Sequence, residues 1–256
     1  MVLEKQIHET LFLDFEVSKI PSDKLLESPI KSSLETLPEH LPPVPLETLA
    51  EQLPPDFLKM QIQDYMVAFS GHSKSFCVGV VDMVDSTRIS SRLSPNQNSK
   101  YYEIFLNTMA RVINRFGGMI LKNVGDSLVF YFPESSKGRH FGFLACFEGC
   151  LAMVDSHKFI EGITKKEGLP QINYRVSCDY GPVVIMKQYE SSNIDMIGPS
   201  MNICCKINRL APNNGFVIGA DLYEIAKKYQ EYNFLQKGKY DSDLKSSYSV
   251  YLVSRK

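Results

Sequence analysis

Residues 120–130 read ILKNVGDSLVF, and this stretch decides the fold. It consists of two apolar segments separated by a short polar turn, a pattern typical of a β-hairpin. The turn carries the carboxylate of Asp126 to the tip of the hairpin. An acidic side chain at such an exposed tip is a candidate ligand for a hard metal ion.

A second carboxylate ends another apolar strand. Residues 77–82 read CVGVVD, so Asp82 closes the strand, and Ser86 and Thr87 follow in a turn of small hydroxyl residues. Two strand-end carboxylates beside a turn with free backbone N–H groups favour a divalent-metal and phosphate site. Such oxygen ligands suit Mg²⁺ or Mn²⁺ carried in on a nucleoside triphosphate. Taken singly, each Asp is more typical of a simple turn.

A third motif lies further along the chain. Residues 194–210 read IDMIGPSMNICCKINRL and contain Asp195, Asn202 and Lys206, while Lys122 stands in the hairpin. With these residues the chain resembles the catalytic domain of the class III nucleotidyl cyclases, the adenylate and guanylate cyclases. Each motif alone is weak, but three of them in the order and spacing of the family are a strong signal.

The motifs of that family can be followed one by one. Its first metal-binding Asp lies in a strand-turn that reads DMVDST at 82–87 here, and its second lies in KNVGD at 122–126. A later element reads DMIG at 195–198 and MNICCK at 201–206. The resemblance covers about residues 76–218, and it implies an α+β domain of the ferredoxin-like, palm type.

Hydrophobic periodicity agrees with this architecture, although without the resemblance it would indicate only a sandwich of uncertain function. It predicts strands at 76–84, 118–124, 127–132 and 171–187, with helices at about 98–116 and 138–160. Strand-helix-strand-strand-helix-strand is the ferredoxin-like order, with helices on one face of an antiparallel-rich sheet. Beyond it we expect a helix at 200–211, a strand at 215–219, a helix at 221–230 and a strand pair near 232–253.

Composition divides the chain near residue 56. Eight of the fourteen prolines lie before it, and residues 1–60 contain 11 Asp and Glu against 5 Lys and Arg. In this acidic part, LETLPEHLPP at 34–43 is repeated as LETLAEQLPP at 46–55. Each unit is long enough for barely two helical turns before its proline pair. Residues 1–55 are therefore either a docking segment for the domain or a protein partner, or a partly disordered linker.

Two further segments complete the predicted organisation. An amphipathic connecting helix is expected at 56–71, with Asp56 as its N-cap and Gly71 as its end. Residues 72–256 then form the catalytic domain.

Charge, hydropathy and cysteine spacing exclude several classes of protein. The formal net charge of −1 predicts no general attraction to nucleic acid, and no apolar run has the length of a membrane span. The six cysteines form no C-x-x-C pair, so neither a zinc site nor a disulfide framework is indicated. We expect a cytoplasmic protein in a reducing compartment.

The resemblance implies roles for Asp82, Asp126 and the residues that follow Asp82, which we call the metal end. Two divalent ions, Mg²⁺ or Mn²⁺, would be bridged by Asp82 and Asp126, with the backbone carbonyl of Met83 completing a metal shell. The backbone N–H groups around Ser86 and Thr87 would hold the phosphates of the nucleotide.

It also implies a base-reading pair and a ribose contact. Lys122 would donate to a ring nitrogen of adenine, and Asp195 would accept from its exocyclic amine. Guanine presents an oxygen at that place, so the pair favours ATP. Asn202 matches the residue that orients the ribose in the family.

Two residues depart from the family pattern. Lys206 stands where the family has its transition-state Arg, and an ammonium is a mobile point charge where Arg offers a rigid fork. Arg209 lies one helical turn further on the same face and is a possible substitute. Asp85 replaces the usual Gly of the phosphate turn, which adds a negative charge beside a triphosphate.

Two functions follow from these motifs. The first is an adenylate cyclase that forms cyclic AMP and pyrophosphate from ATP, acting as a homodimer. In the family the metal-binding Asp residues come from one subunit and the base-reading and transition-state residues from the other, and one chain here carries both sets, so a symmetric dimer would have two complete sites. The alternative is a cyclase-like nucleotide-binding regulatory module with weak or no turnover, which Lys206 and Asp85 favour. A diguanylate cyclase is disfavoured because the hairpin reads NVGDS rather than GGDEF.

Overall fold

The computed structural model describes residues 67–188, 194–242 and 245–256. Residues 1–55 and most of the predicted connecting helix, 56–66, lie outside the described residues. The end of that predicted helix is wrong, because residues 67–71 belong to the first strand. There the backbone of Val67 pairs with that of Gln188, so sheet pairing over a long range overrides the local helical pattern.

The described residues form eight strands, six α-helices and two short 3₁₀ helices. The strands are β1 Val67–Met83, β2 Met119–Val124, β3 Ser127–Phe132, β4 Tyr174–Gln188, β5 Ile194–Ile197, β6 Gly215–Gly219, β7 Tyr232–Ser242 and β8 Lys245–Arg255. The helices are α1 Ser86–Ser90, α2 Pro95–Arg115, α3 His140–Asp155, α4 His157–Lys166, α5 Pro199–Ile207 and α6 Ala220–Ala226. The 3₁₀ helices are Pro133–Lys137 and Asn208–Leu210.

The strands make one sheet in the order β2-β3-β1-β4-β6-β8-β7, and β5 pairs with β4 beside this series. Only β4 and β6 run parallel among the described pairs. The part β2-β3-β1-β4, with α2 after β1 and α3 after β3, confirms the predicted ferredoxin-like order.

Local signals explain where the helices begin and end. Helix α2 begins at Pro95, three residues earlier than expected, because Ser94 and Gln97 form a reciprocal capping box. The predicted helix 138–160 is divided at Ser156, which is the C-cap of α3 and the N-cap of α4. The Ser156 hydroxyl donates to the carbonyl of Ala152 at 2.7 Å, a backbone contact that competes with helix continuation.

The sheet is covered on both faces, whereas the sequence predicted helices on one. Alternate residues of β1, such as Cys77 and Val81, join the large core under α2, α3 and α6. The intervening residues, such as Val78 and Val80, pack with Cys204 of α5 in a second core. Because side chains alternate along a strand, Asp82 continues the second series and lies on the α5 face.

The large core contains a cluster of buried thiols. The sulfur atoms of Cys77, Cys146 and Cys178 lie within 4.8 Å of one another, and Cys146 and Cys178 are 3.2 Å apart. Burial raises the pKa of each of these thiols, so they remain protonated and pack as small apolar groups.

No helix in the described ranges is long and apolar enough to cross a membrane.

Candidate functional site

The β1–β3 ladder brings the two predicted metal-binding carboxylates to one end of the sheet. Asp82 pairs in register with Ser127, whose hydroxyl donates to the Asp82 carboxylate. Asp126 precedes Ser127 in a two-residue turn, and Gly125 supplies the positive φ of 61° that this turn needs. Adjacent strand ends therefore carry the two Asp residues side by side.

The electrostatics of this end fit a cation. Burial raises the pKa of Asp82, the hydrogen bond from Ser127 lowers it, and the charge of Asp126 raises it again. The charges of Arg175 and Arg209 lower it. Two carboxylates that repel each other, both with oxygen donors, are the donor set that Mg²⁺ and Mn²⁺ prefer. Met83 is 4% exposed, so its contribution to such a site is limited to its backbone carbonyl.

The predicted phosphate turn follows Asp82 directly. Asp85 has the left-handed conformation, with φ 58° and ψ 22°, which explains why a Gly suits this position and why Asp is tolerated. Its carboxylate forms an ion pair of 2.9 Å with Arg88, and both side chains are exposed. The added negative charge is thus already balanced. Ser86 is buried and Thr87 is exposed at the start of α1.

The predicted base-reading residues contact each other. The ammonium of Lys122 on β2 lies 2.5 Å from the carboxylate of Asp195 on β5. The second oxygen of Asp195 accepts the backbone N–H of Met196 at 2.7 Å. This hydrogen bond fixes the carboxylate on the short strand β5. The sequence analysis did not predict this strand.

The thiol of Cys205 is influenced by two of the predicted site residues. Cys205 is exposed on α5, and its pKa is raised by partial burial, lowered by the charge of Lys122 and raised by the charge of Asp82. The Cys205 thiol therefore interacts with the charges of Lys122 and Asp82 of its own chain.

Helix α5 exposes the predicted residues Asn202 and Lys206 and buries Ile203, Cys204 and Ile207. The ammonium of Lys206 lies 5.4 Å from the ring centroid of Tyr240 on β7. Lys206 is thus engaged with the strand at the far edge of the sheet.

Two functional candidates were missed in the sequence. Arg175 pairs in register with Asp82, and its buried Nε has no hydrogen-bond partner within the described ranges. Asn208 is 3% exposed, and its side-chain amide donates to the carbonyls of Val80 at 3.2 Å and Arg175 at 3.1 Å. A cation inside the apolar strand of residues 174–178 was the one available signal for Arg175.

Comparison with known proteins shows which proteins this chain resembles. No family model matches the chain. An adenylate cyclase of Streptomyces coelicolor is 22% identical over 145 residues, which are 57% of this chain and 32% of that protein. The chain therefore spans about a third of the length of this relative.

Two solved structures show the same likeness. The adenylyl cyclase CyaB of P. aeruginosa matches with a TM-score of 0.65 and 19% identity, over 72% of this chain and 96% of that one. The guanylate cyclase domain of RhGC from Catenaria anguillulae, in complex with GTP, matches with a TM-score of 0.60 and 16% identity, over 73% and 100% of the two chains. The chain has the fold of the nucleotidyl cyclase catalytic domains, as the sequence motifs predicted.

Proposed function

We propose that this domain is an adenylate cyclase, which converts ATP to cyclic AMP and pyrophosphate. The observation that carries the proposal is the Lys122–Asp195 ion pair, in a chain that also holds Asp82 and Asp126 at the end of the β1–β3 ladder. Adenylyl and guanylyl cyclases both share the fold, so the choice of base rests on these residues.

Base selection follows from hydrogen-bond pattern. The ammonium of Lys122 and the carboxylate of Asp195 pair with each other at 2.5 Å. When adenine enters, the ammonium donates to a ring nitrogen and the carboxylate accepts from the exocyclic amine, so both charges keep a partner. Guanine places a lone pair against the carboxylate, and a site built for a donor rejects such an analogue strongly.

The metal end fits two divalent ions, Mg²⁺ or Mn²⁺. Asp82, Asp126 and the backbone carbonyl of Met83 would hold them. When bound, such ions neutralise phosphate charge and lower the pKa of the ribose 3′-hydroxyl. The residues of the chain then orient the nucleotide, which is where most of the remaining rate enhancement of a phosphoryl transfer originates.

The other polar residues have roles in orientation and charge. Asn202 orients the ribose, and the backbone N–H groups around Ser86 and Thr87 receive the phosphates. Arg175 lies beside Asp82, and its Nε has no hydrogen-bond partner among the described residues, so it suits a phosphate oxygen. The cation that meets the developing charge is Lys206, at the arginine position of the family, or Arg209.

The assembly is proposed to be a symmetric homodimer in the cytoplasm. Each chain carries both the metal-binding and the base-reading residues, so a two-fold dimer has two complete sites. Residues 1–55 are proposed to bind a protein partner.

The test is formation of cyclic AMP from ATP by the purified protein with Mn²⁺. Product is expected from the wild type and none from Asp126→Ala, which excludes a contaminating enzyme. Cyclic GMP as the main product from equal ATP and GTP would contradict the choice of base.

The second candidate function is a nucleotide-binding module without turnover. The contact of Lys206 with Tyr240 favours it, because this ammonium is engaged elsewhere. ATP binding measured by calorimetry, without any cyclic nucleotide product, would establish this function in place of the first.

A further inference from the structure

A polar pair ends an otherwise apolar ladder between β1 and β3. In this ladder Val80 pairs with Val129, and both side chains belong to the second core, under α5. Two residues further along β1, Asp82 pairs with Ser127. Because the side chains of a strand alternate between the faces of a sheet, Asp82 and Ser127 continue this core series and lie on the α5 face.

The pairing brings the hydroxyl of Ser127 to the carboxylate of Asp82. Directly opposed residues of an antiparallel pair have Cβ atoms about 4.5–5.5 Å apart, so a short hydroxyl side chain can reach a carboxylate. The Ser127 hydroxyl donates to Oδ1 of Asp82, and both side chains are half-buried. Within the described ranges, Ser127 is the one side chain whose hydrogen bond orients the Asp82 carboxylate.

The second carboxylate of the metal end lacks such a contact. Asp126 follows Gly125 in the two-residue turn between β2 and β3, and its side chain is half-buried. In the part of the chain that the structure describes, no hydrogen bond or ion pair holds the Asp126 carboxylate. The chain itself therefore orients one of the two carboxylates, Asp82, through its neighbouring strand.

We propose that Ser127 is a positioning residue, which holds the Asp82 carboxylate in the orientation that binds a divalent ion. The proposal rests on the metal site of the proposed function and not on the choice of nucleotide base. An ionised carboxylate has about four lone-pair sites, so the bond from Ser127 occupies one and leaves the others for ions. Loss of a hydrogen bond to a metal ligand typically lowers metal affinity or activity by about 10–100-fold.

The first experiment measures binding of Mn²⁺ by calorimetry in the presence of inorganic pyrophosphate, with the full chain and without ATP. The variants are Ser127→Ala, which removes the hydroxyl, and Ser127→Thr, which keeps it on a side chain suited to a strand. Ser254→Ala is the matched control, because Ser254 is an exposed serine of β8 that pairs with Asn233 of β7.

Ser127→Ala is expected to weaken Mn²⁺ binding by about 10–100-fold. Ser127→Thr and Ser254→Ala should bind Mn²⁺ as the wild type does. Equal Mn²⁺ affinity of Ser127→Ala and the wild type would overturn the proposal, and so would a wild type that binds no Mn²⁺ under these conditions.

The second experiment follows cyclic AMP formation as a function of Mn²⁺ concentration. In Ser127→Ala the half-maximal Mn²⁺ concentration should rise by the factor found in the binding measurement. At saturating Mn²⁺, kcat should stay close to the wild-type value, because the bound ion then orients the carboxylate. A purely structural role of Ser127 would instead lower the rate equally at all Mn²⁺ concentrations, and that result would contradict the proposal.

The two experiments separate the role of Ser127 from the proposed function. If the wild type binds Mn²⁺ but makes no cyclic nucleotide, the cyclase function fails, and weaker Mn²⁺ binding by Ser127→Ala still supports the positioning role. If the wild type makes cyclic AMP and Ser127→Ala has an unchanged dependence on Mn²⁺, the cyclase function stands and the positioning role is rejected.

Discussion

The two faces of the sheet are built from different chemistry. The face under α2, α3 and α6 is an apolar core with protonated thiols and aromatic rings. The α5 face is interrupted by buried polar groups at Ser177, Asp179 and Asn208, and it leads to Asp82 and Arg175. The face under α2, α3 and α6 provides stability through apolar packing. On the α5 face, part of the apolar packing is replaced by hydrogen bonds that position charged groups.

The polar groups of the α5 face are connected to the backbone of several elements. Ser177 donates to the carbonyl of Cys204 on α5 at 3.0 Å and receives a hydrogen bond from Asn208 at 3.1 Å. Asp179 accepts from the hydroxyl of Tyr248 on β8 at 2.7 Å and from the N–H of Leu222 on α6 at 3.2 Å. Because buried polar groups are costly unless they are paired, these contacts restrict α5 and the strands to one arrangement.

The largest expected effect is on the α5 face, at Asp82. Asp82→Asn removes a charged metal ligand and is expected to lower cyclase activity by about 1000-fold or more while the fold persists. The matched control is Asp155→Asn on the other face, at the end of α3, where an exposed carboxylate pairs with Arg255. Initial rates with Mn²⁺ and circular dichroism check both variants. Equal activity of the two variants would remove the distinction between the faces.

In the apolar core we expect a substitution to lower stability and to leave the activity of the folded protein nearly unchanged. Phe147 is fully buried, stacks on Tyr232 at 5.1 Å and has edge contacts with Phe216. Phe147→Ala leaves a cavity and is expected to lower the free energy of unfolding by about 3–5 kcal/mol. At low temperature, where the variant remains folded, its kcat per folded molecule should stay close to the wild-type value. Denaturant unfolding and rates at low temperature measure the two quantities separately.

A smaller effect concerns pH. Burial raises the pKa of Asp179 to about 6, despite the hydrogen bonds from Tyr248, Tyr180 and Leu222 that favour its ionised form. The folded state therefore holds this proton at a higher pH than the unfolded state does. The contribution of Asp179 to stability is fully present below pH 4 and is lost as pH rises through 6, by on the order of 2–3 kcal/mol.

Asp179→Asn tests this sign, because the amide does not titrate. Unfolding free energies measured from pH 4 to pH 7 should show a fall with pH in the wild type that is absent in the variant. A wild-type curve that rises relative to the variant over this range would mean that the carboxylate is stabilised in its ionised form.

The sequence predicted those parts of the site whose signals are local. The hairpin around Asp126, the strand that ends at Asp82 and the helix that begins before Asn202 each carry their motif within a few residues, and the structure has these elements. The hydrophobic period of each strand and helix indicated the element order, and the resemblance to the cyclases identified that order as ferredoxin-like.

The missed features depend on contacts between distant residues. Strand β5 has four residues and exists through its pairing with β4, so its own sequence has too short a pattern. Asn208 bonds to Val80, 128 residues away, and no local signal marks a buried amide of this kind. The prediction that the connecting helix continues to residue 71 is wrong, because residues 67–71 belong to a strand that pairs with residues 186–188.

The most direct test of the central claim is the ATP to GTP ratio of a base-reading double variant. Lys122→Glu with Asp195→Cys inverts the donor and acceptor pattern of a pair whose ammonium and carboxylate lie 2.5 Å apart. If this pair selects the base, the ratio of kcat/KM for ATP and GTP should fall by several powers of ten in the double variant. An unchanged ratio in an active double variant would contradict the claim that Lys122 and Asp195 read adenine.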